Sequence, residues 1–157
     1  MSDVSNLINE KIVNNSYDVF WQDISEKIKD FSPKKVLVLS ILFQNPLVED
    51  GLLKKMMDVC KLSSDEYNLL QIEKDSKISW NKLKAALQPK VVFMFGIYPA
   101  QLGVSAIFYI NAYNDFNDCF WIPAPSLVDL EQNDEVKKAL WKNAMKPIFI
   151  DGLLGKI

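Results

Sequence analysis

The side chains that most often carry catalysis or bind phosphate are scarce in this sequence. It has no histidine and no arginine, so all 18 basic residues are lysines. Without histidine, Ser-His and Cys-His nucleophilic pairs and histidine-ligated metal sites are excluded. Without arginine, the planar group that binds phosphates and guanine in a bidentate manner is lacking. The two cysteines, Cys60 and Cys119, are too few for a disulfide framework or a four-cysteine metal site. We therefore expect no metal and no cofactor.

Length and charge narrow the class of protein further. The 157 residues suit one domain with a sizeable core, and we assign residues 1–157 to a single domain. A protein with a net charge of −2 has no overall positive electrostatic potential to attract nucleic acid, so we expect no strong nucleic-acid binding. The first residues, MSDVSNLINEK, have neither the basic flank nor the apolar centre of a secretory signal, and no apolar run is long enough to span a membrane. These observations predict a cytoplasmic protein without membrane contact.

The apolar pattern predicts an α/β fold. Four short segments are predicted as strands, residues 36–39, 67–72, 91–95 and 119–122, of which 36–39 and 91–95 are fully apolar runs typical of buried strands. Helical patterns separate them, as expected for βαβ units with right-handed crossovers. We therefore predict a three-layer sandwich with a small, mainly parallel, four-stranded sheet. Residues 105–117 have no clear period, and we interpret them as an irregular segment with one edge strand.

Two terminal segments are open to more than one interpretation. A helix predicted over residues 16–31 carries an apolar stripe of Tyr17, Phe20, Trp21 and Ile24. This stripe either anchors a partner protein or packs on the sheet. The apolar tail from residue 148 onwards either docks into a partner or folds back on its own domain. We place an N-terminal helical extension at residues 1–32 and a tail at residues 150–157.

Three stretches, in order along the chain, carry a resemblance to a known superfamily. The first is VLVLS at residues 36–40, followed by GLLKKMMDVCKLSSDEYNLLQ at 51–71. The second is LQPKVVFMFG at 87–96, followed by YPAQLG, and the third is FWIPAPSLVDLEQNDEVKKALWKNAMKPIF at 120–149. Together they resemble the uracil-DNA glycosylase superfamily over residues 34–149. The resemblance implies a glycosylase-like core in that range.

The catalytic motifs of that superfamily are missing. Its enzymes carry an acidic or amide residue on the loop after the first strand, where this chain offers only Gln44 and Asn45, which are more often turn residues. The family's His-Pro-Ser motif corresponds to Ala124, Pro125 and Ser126. An alanine can neither donate a hydrogen bond to a departing base nor carry charge. The resemblance therefore implies a protein without catalytic residues, which is not an enzyme.

A non-catalytic branch of the superfamily fits the sequence better. The psi subunits of bacterial DNA polymerase III resemble this chain in PLVEDGLLKKMMDVCKLSSDEYNLLQ at 46–71 and in PSLVDLEQNDEVKKALW at 125–141. This resemblance implies an adaptor of the DNA replication machinery that binds a protein partner, either the clamp loader or another replisome subunit. Two alternatives stay open at this point. One is a divergent glycosylase-like enzyme, and the other is a protein-interaction domain without a replication role.

Overall fold

The computed structural model describes residues 21–156 of the chain. The strands, in chain order, are β1 (Val36–Ile41), β2 (Tyr67–Ile72), β3 (Val91–Phe95), β4 (Asn114–Phe116) and β5 (Cys119–Ala124). The helices are α1 (Ser25–Ile28), α2 (Pro46–Val59), α3 (Trp80–Leu87), α4 (Leu127–Glu131), α5 (Asp134–Leu140) and α6 (Lys146–Phe149). Short 3₁₀ helices lie at Ser64–Glu66, Pro99–Leu102 and Leu153–Lys156, and a π-helical turn, Trp141–Met145, joins α5 to α6.

The strands form one mixed sheet in the order β2-β1-β3-β5-β4. The strands β2, β1, β3 and β5 run parallel to one another, and β4 pairs antiparallel with β5. The α/β prediction is confirmed, but the predicted count of four strands was one too low. The fifth strand, β4, is the edge strand predicted within residues 105–117; it is only three residues long and is joined to β5 by Asn117 and Asp118, both at positive φ. Two such residues make the tight turn that favours hairpins.

Helices cover both faces of the sheet. Because successive side chains of a strand point to opposite faces, β1 sends Val36 and Val38 into one apolar cluster and Leu37 and Leu39 into the other. The first cluster contains side chains of α2, α4, α5 and α6, and the second contains side chains of α1 and α3. All of β3 is buried. Strands buried on both faces explain the continuous apolar runs in the sequence.

Polar side chains mark where the helices begin. The side chain of Ser79 accepts a hydrogen bond from the backbone N–H of Lys82 at the start of α3, and Asn133 does the same for Val136 in α5. At the start of α2, the buried carboxylate of Glu49 accepts a hydrogen bond from the backbone N–H of Asn45, at 2.5 Å. These contacts satisfy N–H groups that the first helical turn leaves without partners.

The helical segment over residues 134–145 is interrupted near its end. Its first part is α5, and the last five residues, Trp141–Met145, form the π-helical turn. A π turn shifts the backbone hydrogen bonds by one residue, and the carbonyl of Asn143 here accepts a bond from the N–H of Tyr113 at 3.2 Å. This bond ties the α5–α6 segment to the loop before β4.

The predicted helix over residues 16–31 was wrong in its described part. Only Ser25–Ile28 are helical there, and Trp21 to Ile24 precede the helix. The backbone N–H of Gln22 donates to the carbonyl of Lys77 at 2.6 Å, which holds this stretch against the loop after β2 instead of in a helical turn. At the other end of the chain, Leu153 and Leu154 pack against the first cluster, so this part of the tail folds back on its own domain. Within residues 21–156, no helix is both long and apolar enough to cross a membrane.

Burial of one thiol predicts a pH dependence of stability. Cys60, directly after α2, is buried in the first cluster, and burial raises its pKa from 9.0 to about 12. The folded chain therefore holds this proton at a pH where the unfolded chain releases it, so stability is complete below pH 9 and falls above it. We expect Cys60 to reduce the free energy of unfolding by about 1 kcal/mol at pH 10 relative to pH 8.

The measurement is urea unfolding of the wild-type chain and of Cys60→Ala at both pH values. The variant should lose less stability than the wild type between pH 8 and pH 10, since the other titrating groups are shared. Equal losses in the two proteins would show that the thiol ionises normally in the folded state.

Candidate functional site at the carboxyl edge of the sheet

A cleft of about 890 Å³ opens where the parallel strands end. Its floor contains Ile41 from the end of β1, Gly96 just after β3 and Ala124 from the end of β5. In the sheet, β1 lies between β2 and β3. After β1 the chain continues to β2 on one side, and after β3 it continues to β4 and β5 on the other side. The chain therefore leaves the carboxyl ends of β1 and β3 in opposite directions. Such a switch point leaves a crevice, which is where open α/β sheets bind their ligands.

Gly96 allows the three strand ends to approach closely. Its φ is +74°, a left-handed conformation that favours glycine. A Cβ atom there would lie 3.2 Å from Cβ of Ser126 and 3.3 Å from Cδ1 of Ile41. The missing side chain therefore lets the start of α4 and the end of β1 close over the end of β3, which shapes the floor of the cleft.

Gln101 does not line the cleft, but its hydrogen bonds hold one wall of the cleft together. Its side-chain oxygen accepts a bond from the N–H of Tyr98 at 3.0 Å. Its amide nitrogen donates to the carbonyls of Lys74 and Ser76 at 2.8 and 3.0 Å. The carbonyl of Gln101 also accepts from the N–H of Ile78 at 2.8 Å. One side chain thus joins the loop after β2 to the 3₁₀ helix after β3, and both segments line the cleft.

The opposite wall is the loop between Gly103 and β4. Phe108 packs its ring against Trp121 in the core, at a centroid distance of 5.4 Å. The side chain of Asn114 bonds both the N–H and the carbonyl of Tyr109, and the N–H of Asn111 donates to the carbonyl of Pro123 at 2.8 Å. Phe108 therefore anchors the loop, while its neighbours on either side are directed to solvent.

Three large apolar side chains line the cleft and yet stay exposed. We call Tyr98, Ile107 and Ile110 the apolar rim; they are 71, 94 and 62% exposed. Sequence reasoning missed Ile107 and Ile110 because their loop has no helical or strand period, and it missed Tyr98 because one apolar residue before the 3₁₀ helix Pro99–Leu102 forms no period. The available signal was the presence of several large apolar residues in a segment without a regular pattern. Such a group of exposed apolar side chains is typical of a binding surface.

The polar groups of the cleft are few. Among the described lining residues, Lys74 and Asp129 are the charged ones, and Asp129 is the one carboxylate. The hydroxyl oxygen of Ser126 accepts from the N–H of Asp129 at 3.4 Å, as the cap of α4. The cleft is thus mainly apolar, with an amide from Gln44 and a hydroxyl from Ser105 in addition. This arrangement favours binding of an apolar surface over acid–base chemistry, which needs paired titratable groups.

Four of the five residues that the sequence resemblance aligns with catalytic motifs come together at this edge. Gln44, Ala124, Pro125 and Ser126 all line the cleft. Asn45 is not among the lining residues, and its backbone N–H is bonded to Glu49. The buried methyl group of Ala124 stands where the resemblance implies a histidine.

The predicted partner-binding stripe is not assembled as a surface in the described residues. Tyr17 and Phe20 lie outside residues 21–156. Ile24 is only 4% exposed and belongs to the second apolar cluster, so its side chain packs on the sheet, which is the other of the two interpretations of the stripe. Trp21 is half-buried, and its Cη2 atom lies 2.7 Å from the position that a Cβ on Gly103 would occupy. Trp21 therefore packs against the start of the cleft loop.

Comparisons with known proteins add no assignment to this geometry. No family model, no curated protein and no solved structure matches the chain. In the described part of the chain, no three His, Cys, Asp or Glu side chains are grouped so that they could hold a metal ion. The function must therefore be argued from the cleft and from the sequence resemblance.

Proposed function

We propose that the chain is a non-catalytic adaptor of the DNA replication machinery, similar to the psi subunits of bacterial DNA polymerase III. In this proposal the fold is glycosylase-like, and the carboxyl edge of the sheet binds a protein. The observation that carries the proposal is the apolar rim of Tyr98, Ile107 and Ile110 around a mainly apolar cleft. Exposed apolar side chains are costly in water and are retained where they are buried in a complex.

The side chains of the rim and the organisation of its loop support protein binding. Large apolar and aromatic side chains at the centre of an interface contribute most of its binding energy. Ile107 and Ile110 lie on a loop held by Phe108 and Asn114, so the loop is organised before a partner arrives. A surface that is already organised loses less conformational entropy on binding.

The composition of the cleft supports a function without catalysis. Excision of a base needs groups that stabilise the departing base and the cationic sugar. At the positions where the resemblance implies such groups, this chain has Gln44 on the loop after β1 and the methyl group of Ala124 at the end of β5. The hydroxyl of Ser126 is engaged as a helix cap.

A second candidate function is a divergent glycosylase-like enzyme, which the size of the cleft favours. A volume of about 890 Å³ is within the range of small-molecule sites. An enzyme of this kind would have to use Gln44 or Asn45 in place of the missing acid.

We expect no release of uracil from single- or double-stranded DNA, because neither the loop after β1 nor residues 124–126 offer a group that stabilises the transition state. The measurement is product formation from uracil-containing oligonucleotides, with an active uracil-DNA glycosylase as the positive control. Release above the level without enzyme, abolished in Gln44→Ala or Asn45→Ala, would establish the enzyme in place of the adaptor.

We also expect weak binding to oligonucleotides at physiological salt, because affinity for DNA comes mainly from neutralised phosphates. The lysines of the described chain are spread over several elements, and Lys137 is engaged with Glu131 and Asp134. Fluorescence anisotropy with labelled single-stranded and duplex DNA is the measurement. Tight binding with a steep salt dependence would contradict the proposal, since it requires a phosphate-binding surface.

The direct test of the adaptor proposal is binding of the purified chain to the purified clamp loader of the same organism. This test also separates the adaptor from an interaction domain without a replication role, which would leave the clamp loader unbound.

A further inference from the structure

The two charged side chains that line the cleft come from different elements. Lys74 lies on the loop after β2, and Asp129 lies in α4, which follows β5. Both residues are exposed. Within residues 21–156, neither the ammonium group of Lys74 nor the carboxylate of Asp129 takes part in an ion pair. The described part of the chain therefore leaves one positive and one negative group in the cleft for a ligand.

The topology of the sheet keeps these two charges apart. The strands β2 and β5, which precede them, are separated by β1 and β3, so the strand ends lie three strand spacings, or about 14 Å, apart. The loop of Lys74 leads to α3 on one face of the sheet, whereas α4 packs on the other face. The two charges therefore lie on different sides of the cleft, with its apolar floor between them.

We propose that the cleft binds a short extended segment of a partner protein, in which an apolar stretch lies between an acidic and a basic residue. The inference rests on the proposed function, since it names the chemistry of the partner at the same site. The acidic residue pairs with Lys74, the basic residue pairs with Asp129, and the apolar residues cover the apolar rim. About four residues of extended chain span the estimated 14 Å between the two charges.

The mixed charge of the lining favours this occupant over a uniformly charged one. A phosphate backbone or an acidic segment would be attracted by Lys74 but repelled by Asp129, and a basic segment would meet the reverse. The cleft also offers the amide of Gln44 and the hydroxyl of Ser105, both on exposed residues. Such groups can bond the backbone N–H and C=O of a peptide, which need partners once water is displaced.

The test compares three fluorescent peptides with capped ends and the same four apolar residues at the centre. The first is flanked by one glutamate and one lysine, the second by two glutamates and the third by two lysines. We expect the mixed peptide to bind the full chain about 5-fold more tightly than either of the others, because it alone makes two attractive pairs and no repulsive one. The preference should weaken as salt is added. Fluorescence anisotropy is the measurement.

Variants with altered charge locate the binding site. Lys74→Glu should make the peptide with two lysines bind most tightly, and Asp129→Lys should do the same for the peptide with two glutamates. The matched controls are Lys77→Glu and Asp58→Lys, which make the same changes in net charge at exposed positions outside the cleft. Both controls should retain the preference for the mixed peptide. Ile107→Asp, in the apolar rim, should weaken binding of the mixed peptide at least about 10-fold.

Equal binding of the three peptides, binding of none, or tighter binding of a uniformly charged peptide to the wild-type chain would overturn the inference. It would also be overturned if the cleft variants and the control variants had equal effects. Clamp-loader binding that is weakened by Ile107→Asp but unchanged by Lys74→Glu and Asp129→Lys would support the proposed function and overturn this inference. The expected peptide preferences without clamp-loader binding would support the inference and contradict the proposed partner.

Discussion

Replacing Trp121 by alanine is expected to lower the free energy of unfolding by about 3–5 kcal/mol. Trp121 is fully buried in β5, at the centre of the second apolar cluster. Its ring lies 4.5 Å from that of Trp80 in an edge-on arrangement and 5.4 Å from that of Phe108, measured between centroids. The alanine variant would leave a large cavity and lose these aromatic contacts. Urea unfolding followed by circular dichroism is the measurement.

The conservative variant Trp121→Phe separates the contributions to this loss. It keeps a ring in the cluster but removes the indole N–H, which donates to the carbonyl of Phe116 at 2.9 Å. We expect a loss of about 1–3 kcal/mol from the unsatisfied carbonyl and the smaller ring. If Trp121→Ala were tolerated with a loss below about 1 kcal/mol, β5 would not be packed between the two helical layers as described.

Replacing Ile107 by aspartate is expected to weaken binding of the clamp loader by at least ~10-fold, while the free energy of unfolding changes by less than about 0.5 kcal/mol. Ile107 is 94% exposed, so a charge there costs the free chain almost nothing. In a complex the same charge would be buried against an apolar partner without a counter-charge, which is strongly unfavourable. Retention of the variant on immobilised clamp loader, beside its unfolding curve, is the measurement.

Leu47 provides the matched control for this variant. It is 89% exposed near the start of α2 and does not line the cleft. Leu47→Asp makes the same kind of change to an exposed aliphatic residue and adds the same charge. We expect it to bind like the wild type. Equal weakening by both variants would indicate a general charge effect and argue against the apolar rim as the interface.

The central strands could be predicted from the sequence because burial on both faces leaves a clear pattern. The bounds predicted for the central strand β3 agree with the structure, since it is a short apolar run between turn residues, and those predicted for the edge strand β2 agree as well, although its burial alternates. The strand β4 lies within residues 105–117, where one edge strand was predicted, but its bounds could not be predicted because three residues are too few for a period to appear. The π turn was also missed. The carbonyl of Asn143 in this turn bonds Tyr113, which is distant along the chain, and no local pattern reports such a contact.

The candidate site could be predicted only in part. The resemblance indicated Gln44 and residues 124–126, which do line the cleft, because residues that follow parallel strands meet at one edge of the sheet. The apolar rim depends on how Phe108 packs on Trp121, which is a tertiary contact. For the stripe containing Trp21 and Ile24, the sequence pattern was clear but did not decide which surface the side chains face. An apolar stripe has the same pattern whether it faces a partner or its own core, and here the core contains Ile24.

The most direct test of the account is an equilibrium titration of the purified wild-type chain with the purified clamp loader of its own organism, at physiological salt. The account predicts saturable binding that persists as salt is raised, because the apolar rim and not charge supplies most of the affinity. Absence of binding at concentrations where the chain stays folded would contradict the adaptor function.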